Sequence, residues 1–287
     1  MNILVTGATG FVGRNLIPKL LEDGSLQLVL LVRDIEKAQN LYGNQVACIS
    51  TDNLSKIQDY NPEVVIHLAA YLTSKDDGES VDKLLSANII FGTHLLSALK
   101  ACCNLKLFIN FGTFAEYRFG PQQVNNAYLY SATKSAFKRL LAFYAELSGY
   151  KHISLNPYTI YGGRDSQKKV IDFIKDSFEK EEPVKMSAGD QILDFIHVND
   201  VVSLLVFIVH HKEQFIAEAM SEYHLGSGRG VSLRELASLL EKKYNKKCNI
   251  AWGALPYRDR DVMYAVAPLG NLLKMGWCPS IKLKDAL

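Results

Sequence analysis

The sequence predicts an α/β fold, a doubly wound parallel sheet (Rossmann) with a smaller C-terminal substrate lobe. Two observations carry this prediction. Short runs rich in Val, Ile and Leu alternate with helical patterns through the first half of the chain, which is typical of parallel strands joined by right-handed crossovers. A glycine-rich segment at residues 7–13 joins the first run to the first helical pattern, as in folds that bind a nucleotide at the carboxyl edge of the sheet.

The predicted elements of the main sheet follow one another without long gaps. Strands are expected at Asn2–Thr6, Gln27–Val32, Val46–Ser50, Val64–Ala70, Lys106–Gly112 and His152–Pro157. Helices are expected from Phe11 to about Glu22, at Asp34–Tyr42, at Ser80–Ala101, and from Tyr130 to about Gly149. The strand runs are short and almost wholly apolar, which indicates strands buried on both faces.

The segment Thr6-Gly7-Ala8-Thr9-Gly10-Phe11-Val12-Gly13 closes the first strand and opens the first helix. Glycines at this junction permit a tight turn and a close approach of the backbone to a pyrophosphate, and the free N–H groups of the helix N-terminus favour that phosphate. We therefore expect a dinucleotide here, although a purely structural turn would have the same composition. The expected cofactor contacts are Gly7, Thr9, Gly10, Phe11, Val12 and Gly13.

The residue that follows the second strand bears on which dinucleotide binds. NAD enzymes of this fold commonly place an acidic residue there, but this chain has Arg33. A guanidinium can pair with a 2′-phosphate through two hydrogen bonds, which favours NADP over NAD. Asp34 follows directly, so a solvated pair between Arg33 and Asp34 is the alternative interpretation.

Further cofactor contacts are expected after the third and fourth strands. Asp52 and Asn53 carry polar side chains suited to the adenine edge. Leu68, Ala69 and Ala70 end the fourth strand with small or apolar side chains where a cofactor would cross the sheet.

Tyr130 and Lys134 stand four residues apart and therefore share one face of a helix. A phenol, with a reference pKa of about 10, becomes an effective acid and base when a nearby cation stabilises its phenolate. Beside a nicotinamide, Tyr130 would exchange a proton with a carbonyl oxygen, and Lys134 would stabilise the phenolate and bond the nicotinamide ribose. The pair could equally stand on an ordinary amphipathic helix.

Two more residues fit this chemistry. Thr113, just past the fifth strand, is placed to hold the substrate oxygen. Asn88, in the preceding helix, is expected to order a water of a proton relay, with an amide on the helix surface as the alternative.

The pattern changes after Gly162. Helices are expected at Val170–Glu179, Asp200–His211 and Leu233–Tyr244, with a break at Pro183, a strand or loop near Phe195 and a turn at Gly226–Gly230. We therefore expect residues 1–162, with about 190–225, to form the dinucleotide-binding domain. About 163–189 and 226–287 would form the substrate-binding lobe.

Composition excludes several classes of function. With 32 Lys and Arg against 30 Asp and Glu, the net charge of +2 gives no basic surface for nucleic acid or an anionic membrane. The longest apolar run, Val201–Val209, is too short to span a bilayer. The five cysteines lack metal-ligand spacing, so we expect no metal site, and the N-terminal strand without a charged leader predicts a cytoplasmic protein.

Taken together, the motifs resemble the extended short-chain dehydrogenase/reductase family, in its nucleotide-sugar epimerase/dehydratase branch, over essentially the whole chain. The resemblance rests on the glycine loop, His67–Ala70, Asn88–Thr93, the Thr113, Tyr130 and Lys134 set, Tyr161–Gly163, Asp194–Asp200, Arg258–Asp261 and Gly276–Pro279. It implies an enzyme that uses NAD(P) on a nucleotide-diphosphate sugar. It further implies that Arg258 binds the diphosphate, and that Pro157 and Thr159 lie beside the nicotinamide and the sugar.

Departures from the family pattern narrow the expected reaction. In the 4,6-dehydratases of the family an Asp–Glu pair follows the catalytic Thr, and in epimerase-reductases similar to GDP-fucose synthase a cysteine stands two residues after it; this chain has Phe114 and Ala115. Two reactions at one carbon remain, reduction of a keto-sugar by NADPH or 4-epimerisation with NAD, and Arg33 favours the reductase. Leu193 replaces an arginine that contacts the diphosphate in relatives.

Within this branch, Tyr130–Lys134 and Pro256–Arg258 are most similar to the CDP-abequose and CDP-paratose synthases, which reduce the 4-keto group of a CDP-3,6-dideoxy sugar for bacterial surface polysaccharide. The family also implies a homodimer formed through helices at Ser80–Ala101 and Tyr130–Ser148. A reductase of small ketones and a non-enzymatic dinucleotide-binding regulator stay open as alternatives, opposed by Arg258 and by the intact Thr113, Tyr130 and Lys134 set respectively.

Overall fold

A computed structural model describes residues 1–163 and 168–287, and its centre is a seven-stranded parallel sheet. Residues 164–167, which belong to the expected substrate lobe, lie outside the described residues. The strands of the sheet are β1 (Asn2–Thr6), β2 (Gln27–Val32), β3 (Ala47–Ser50), β4 (Val64–His67), β5 (Leu107–Phe111), β6 (Lys151–Pro157) and β10 (Glu222–Leu225). Their spatial order is β3-β2-β1-β4-β5-β6-β10, so the chain starts in the middle and winds outward in both directions.

Helices cover both faces of this sheet. One face is packed by α1 (Phe11–Leu21), α2 (Ile35–Tyr42), α8 (Val198–His210) and α9 (Lys212–Ala217), and the other by α3 (Ile57–Tyr60), α4 (Gly78–Leu85), α5 (Phe91–Leu99) and α6 (Leu129–Ser148). We call the side of the sheet that α1 covers the α1 face, and the side that α6 covers the α6 face.

The two faces differ in chemistry because side chains alternate along each strand. On the α1 face the buried side chains of the strands are apolar, among them Ile3, Val5, Ile66, Ile109, Ile153 and Leu155, all fully buried. On the α6 face, Leu4, Val29 and Val65 begin an apolar layer that ends in polar groups near the carboxyl edge. These polar groups are Thr6, His67, Asn110, Ser154, Asn156, Glu222 and His224.

The remaining strands form two small sheets in the second half of the chain. β9 (Ile192–His197) pairs with β7 (Thr159–Tyr161), β11 (Gly230–Ser232) and β13 (Tyr264–Ala265), and β8 (Val184–Met186) pairs with β12 (Ile250–Trp252). The helices of this part are α7 (Val170–Asp176), α10 (Leu233–Tyr244), α11 (Gly270–Lys274) and α12 (Leu283–Ala286).

Two buried aspartates, each within a motif of the second half of the chain, bond the loops that join this half to the main sheet. Asp194 accepts hydrogen bonds from the backbone N–H groups of Ser227, Gly228 and Ala267, at 2.7, 2.9 and 3.1 Å. Asp200 accepts from Ser280 and Ile281, which follow the Gly276–Pro279 motif. Both carboxylates are thus used to hold loops.

The predicted fold class is confirmed, and most predicted elements are present with bounds within a few residues. The fourth strand is an exception, since it ends at His67 and leaves residues 68–70 as a loop. The helix expected at Ser80–Ala101 starts at Gly78 and contains one π-helical turn, Ser86–Ile90. The segment near Phe195 is a strand, and the short strand β10 was not predicted.

Candidate functional site

The glycine loop forms a backbone cradle at the carboxyl end of β1. Gly7 has a φ of +68°, and a Cβ there would lie 2.6 Å from the backbone N of Ala69, so only glycine fits. A Cβ on Gly13 would collide with the carbonyl oxygens of Gly7 and Ala8. Helix α1 starts from Gly10 without a side-chain cap, which leaves its first N–H groups available to a phosphate. The loop therefore fits a dinucleotide pyrophosphate.

The loop after β4 lies directly against this cradle. The Ala69 backbone donates to Thr6 Oγ1 at 3.2 Å, and the Thr6 hydroxyl is bonded to His67 Nδ1 at 2.8 Å. Burial lowers the pKa of His67 to about 3, with a smaller contribution from Lys134, so this imidazole is neutral. Leu68 and Ala69 are thereby held beside the glycines.

The adenosine end of the cradle carries an unengaged guanidinium. Arg33 is exposed and forms no hydrogen bond or ion pair with the residues that the structure describes. Asp34 instead caps α2, accepting from the Lys37 backbone at 2.9 Å, so the expected alternative of an Arg33–Asp34 pair is wrong. Arg14 and Lys37 line a groove beside it. Asp52 accepts from Ser50 Oγ at 3.3 Å after β3, and Asn53 follows it.

Tyr130 and Lys134 occupy the first two turns of α6, on the side that faces the sheet. Lys134 is 2% exposed, and burial lowers its pKa to about 8 although the Glu116 carboxylate opposes this shift. Tyr130 is only partly exposed, and burial together with Glu116 raises the pKa of its phenol well above the ordinary value. The ammonium is thus close to its titration point at neutral pH, while the phenol is protonated.

Thr113 enters the site at the end of β5 and is held by its own short turn. It begins a 3₁₀ turn at Phe114–Glu116, its backbone N–H donates to Glu116 Oε1 at 2.9 Å, and its Oγ1 accepts from the Ala115 backbone at 3.3 Å. An acceptor that is already occupied leaves the hydroxyl hydrogen for a substrate oxygen.

Asn88 lies in the π-helical turn and is 2% exposed, so the alternative of a surface amide is wrong. Its side chain bonds both the N–H and the C=O of Tyr71, at 2.8 and 3.1 Å, and donates to Thr133 Oγ1 at 3.0 Å. Asn88 thereby ties the loop after β4 to α6. A role in a water relay stays a prediction.

The side of the site opposite the cradle is formed by the segment around Arg258. The Arg258 guanidinium lies 5.8 Å from the ring centroid of Tyr128, whose hydroxyl bonds Asp261 Oδ1 at 3.0 Å. Tyr128 directly precedes α6, so Arg258 stands near the start of that helix. Pro157 ends β6 and Thr159 begins β7, and between them Tyr158 stacks on Phe114 at 5.5 Å.

Tyr128, Glu116 and Lys138 contact this machinery and were not singled out as site residues. Lys138 had a detectable signal, since it stands one further helical turn beyond Lys134. Tyr128 and Glu116 had no such signal in the sequence. The partner of Tyr128, Asp261, lies more than a hundred residues away, and the contacts of Glu116 depend on how its own turn folds. Among the described residues, no group of three His, Cys, Asp or Glu side chains is placed to hold a metal ion. In the same part of the chain, no helix is long and apolar enough to cross a bilayer.

Comparison with known proteins gives a family match. The model of the NAD dependent epimerase/dehydratase family matches residues 3–221. A CDP-abequose synthase of Salmonella typhimurium is 28% identical to the chain, covering 99% of it and 95% of the relative. A CDP-abequose synthase of Yersinia pseudotuberculosis is 26% identical, covering 92% of this chain and 91% of the relative.

Solved structures show the same architecture. A variant of the UDP-glucuronic acid 4-epimerase from Bacillus cereus, in complex with UDP-4-deoxy-4-fluoro-glucuronic acid and NAD, superposes with a TM-score of 0.88. It is 23% identical, and the match covers 100% of this chain and 96% of that one. At this identity the likeness concerns the fold, which places the glycine cradle and α6 within a known architecture.

Proposed function

Because the chain belongs to the NAD dependent epimerase/dehydratase family, we propose that it is an NADPH-dependent reductase of a nucleotide-linked 4-keto sugar. The substrate would be a 6-deoxy or 3,6-dideoxy hexulose destined for bacterial surface polysaccharide. CDP is the first nucleotide to test, since the CDP-abequose synthases align with nearly the whole chain.

One observation carries the proposal: among the described residues that flank Thr113 in the sequence, no carboxylate or thiol is free to act on the substrate. Phe114 stacks on Tyr158, and Ala115 is buried. Glu116, the nearest carboxylate in the sequence, is fully buried and bonds the Thr113 backbone, Ser135 and Lys138. A carboxylate engaged in this way is not free to abstract a proton from carbon. This arrangement supports a reaction in which the only transfers are those of one hydride and one proton.

The proposed mechanism assigns one task to each residue. The glycine cradle would hold the pyrophosphate of a dinucleotide, whose nicotinamide would supply the hydride. Thr113 donates a hydrogen bond to the ketone oxygen, Tyr130 transfers its proton to that oxygen as it becomes an alcohol, and the Lys134 ammonium stabilises the resulting phenolate. Lys134 also bonds the nicotinamide ribose. Pro157 would pack beside the nicotinamide and Thr159 beside the sugar.

The preference for NADP is proposed from Arg33, whose guanidinium is exposed while its neighbour Asp34 caps a helix. We expect NADPH to bind at least about tenfold more tightly than NADH, since a guanidinium pairs strongly with a phosphate. Titration of protein fluorescence with each cofactor measures this. Arg33→Ala should lose the preference and keep the NADH affinity. Equal affinities of the unaltered protein for both cofactors would contradict the assignment.

Arg258 is proposed to bind the substrate diphosphate, and the stacking of its guanidinium over Tyr128 supports this by directing it toward the catalytic helix. With Leu193 in place of a second arginine, Arg258 would carry that contact without help from position 193.

We also propose a homodimer formed through α4, α5 and α6. The exposed side of these helices carries large apolar side chains at Leu85, Ile90, Phe143 and Leu147, which are 41–60% exposed. Large apolar side chains exposed on neighbouring helices suit association with a second copy. We propose two functional parts: residues 1–162 with about 190–225 bind the dinucleotide, and residues from about 163–189 with 226–287 bind the substrate.

The decisive experiment incubates the protein with NADPH and a panel of nucleotide-linked 4-keto-6-deoxy and 4-keto-3,6-dideoxy sugars. Stoichiometric oxidation of NADPH, with a new 4-hydroxyl in the NMR spectrum of the product, is expected. The competing hypothesis is a 4-epimerase that uses NAD. Interconversion of two nucleotide sugars with no net change in nicotinamide absorbance would establish that reaction and overturn the reductase.

A further inference from the structure

A buried charged network joins the Thr113 turn to the catalytic helix. Its centre is Glu116, which is fully buried beneath Thr113. One oxygen accepts from the Thr113 backbone at 2.9 Å, and the other meets Ser135 Oγ at 2.8 Å and Lys138 Nζ at 3.0 Å. Ser135 and Lys138 both belong to α6, so one carboxylate bonds both structures that carry the catalytic groups.

Lys138 extends the network to the edge of the sheet. Its Nζ also contacts Asn156 Oδ1 at 2.9 Å on β6 and Glu222 Oε2 at 3.1 Å on β10. The Tyr117 hydroxyl bonds the same Glu222 carboxylate. Space for these groups exists because residue 112 is a glycine, where a Cβ would lie 2.6 Å from Glu116 Oε1. The network is therefore built into the end of β5 as well as into α6.

Two charges of this network act on Lys134 with opposite sign. The Glu116 carboxylate raises the pKa of Lys134 and the Lys138 ammonium lowers it, while burial has the largest, lowering effect. Of the other groups around Lys134, His67 on β4 is neutral, Tyr130 on α6 is protonated, and Glu222 on β10 acts through its contact with Lys138. Glu116 and Lys138 are thus the pair whose charges decide how readily Lys134 stays cationic.

We propose that Glu116 is a positioning residue that fixes the Thr113 turn against α6 and, balanced by Lys138, holds the charge of Lys134. The proposal rests on the reductase mechanism above for the roles of Thr113 and Lys134. It assigns the carboxylate after the catalytic threonine to geometry and charge, with no contact to the substrate.

The test compares the pH dependence of kcat for Glu116→Gln and Lys138→Met. Because Lys134 must be cationic, reduction should slow above about pH 8 in the unaltered protein. Glu116→Gln should move this basic limb down by about one pH unit, and Lys138→Met should move it up. The double variant should return toward the original profile. The proposal would be overturned if the basic limb of the kcat profile stayed in place in both single variants, or if it moved in the same direction in both.

The matched controls are Glu22→Gln and Lys19→Met, which remove a solvent-exposed ion pair of the same type at 2.9 Å, between the last turn of α1 and the residue that follows it. Neither should move the profile. Glu116→Asp separates the two roles, since it keeps the charge but shortens the side chain. We expect kcat to fall about tenfold to a hundredfold with an unmoved basic limb. This variant also tests the proposal if Glu116→Gln does not fold, because full kcat in Glu116→Asp would refute the positioning role.

A second measurement is independent of the sugar. The pH dependence of NADPH affinity, measured by fluorescence without substrate, should shift in the same opposite directions, since Lys134 is assigned to the nicotinamide ribose. If no sugar of the panel is reduced but these shifts occur, the proposed substrate is wrong and the role of Glu116 stands. If reduction occurs and neither profile shifts, the role of Glu116 is wrong and the reductase stands.

Discussion

The two faces of the central sheet are built from the same strands and have different tasks. Toward α1, every strand presents apolar side chains, and the packing is that of an ordinary hydrophobic core. Toward α6, polar groups collect at the carboxyl edge, and Glu116 and Lys138 form a buried ion pair that extends to the partly exposed Glu222. Buried charges stabilise little relative to apolar packing, so their placement on one face points to a role in the site. The apolar packing that stabilises the fold therefore lies on one side of the sheet, and the groups proposed for catalysis lie on the other.

The largest effect should come from the α6 face. Tyr130→Phe removes only the phenolic oxygen, and we expect kcat to fall by about 10²–10⁴-fold or more, because no other residue is assigned to protonate the product. The affinity for NADPH and the melting temperature should change little. Steady-state kinetics and calorimetry on the same preparation measure both. Retention of most of the activity would show that the proton donor is another group.

The opposite result is expected from the α1 face. Ile153, fully buried in β6, points away from the site, and Ile153→Ala should lower the free energy of unfolding by about 2–5 kcal/mol through lost burial and a cavity. The kcat of the folded fraction should stay within about twofold. Denaturant unfolding and kinetics below the transition measure this. A large loss of kcat with unchanged stability would refute the assignment of stability to the α1 face and of chemistry to the α6 face.

The next residue along the same strand gives the sharpest comparison. Ser154 points to the α6 face, where its Oγ accepts from Asn110 Nδ2 at 3.0 Å. Ser154→Ala removes little volume but leaves a buried donor without its partner, and we expect a loss of about 1–3 kcal/mol. Ser154→Thr, which keeps the hydroxyl, is the control. If alanine were neutral and threonine were not, packing would matter more than the hydrogen bond on this face.

The sequence predicted much of the sheet and the cofactor cradle because those signals are local. An apolar run followed by Gly7, Gly10 and Gly13 specifies a strand, a turn and a helix within thirteen residues. It did not predict β10, because four residues become a strand only by pairing with β6, more than sixty positions earlier. The π-helical turn at Asn88 also lacked a signal, since it depends on side-chain contacts with Tyr71 and Thr133.

The site itself was predicted in part. The spacing of Tyr130 and Lys134 specified one helix face, and Arg33 was identified from its place after a strand. Glu116 stands one position beyond the Asp–Glu pair of the dehydratases, so the family pattern gave it no role. Its contacts with Ser135 and Lys138 arise from the packing of a turn on a distant helix, which one sequence does not encode in any short pattern.

The position of β10 has a consequence for the order in which the protein is made. Six strands of the sheet are complete once residue 157 has emerged from the ribosome, and the chain then builds β7, β8, β9 and the three helices α7, α8 and α9 before it returns with Glu222. Until that return, Lys138 lacks one of its carboxylate partners and β6 is an open edge. A nascent chain can therefore hold a nearly finished sheet while the ionic network on its α6 face still lacks Glu222. The last strand to arrive closes the edge and completes the ionic network in one step.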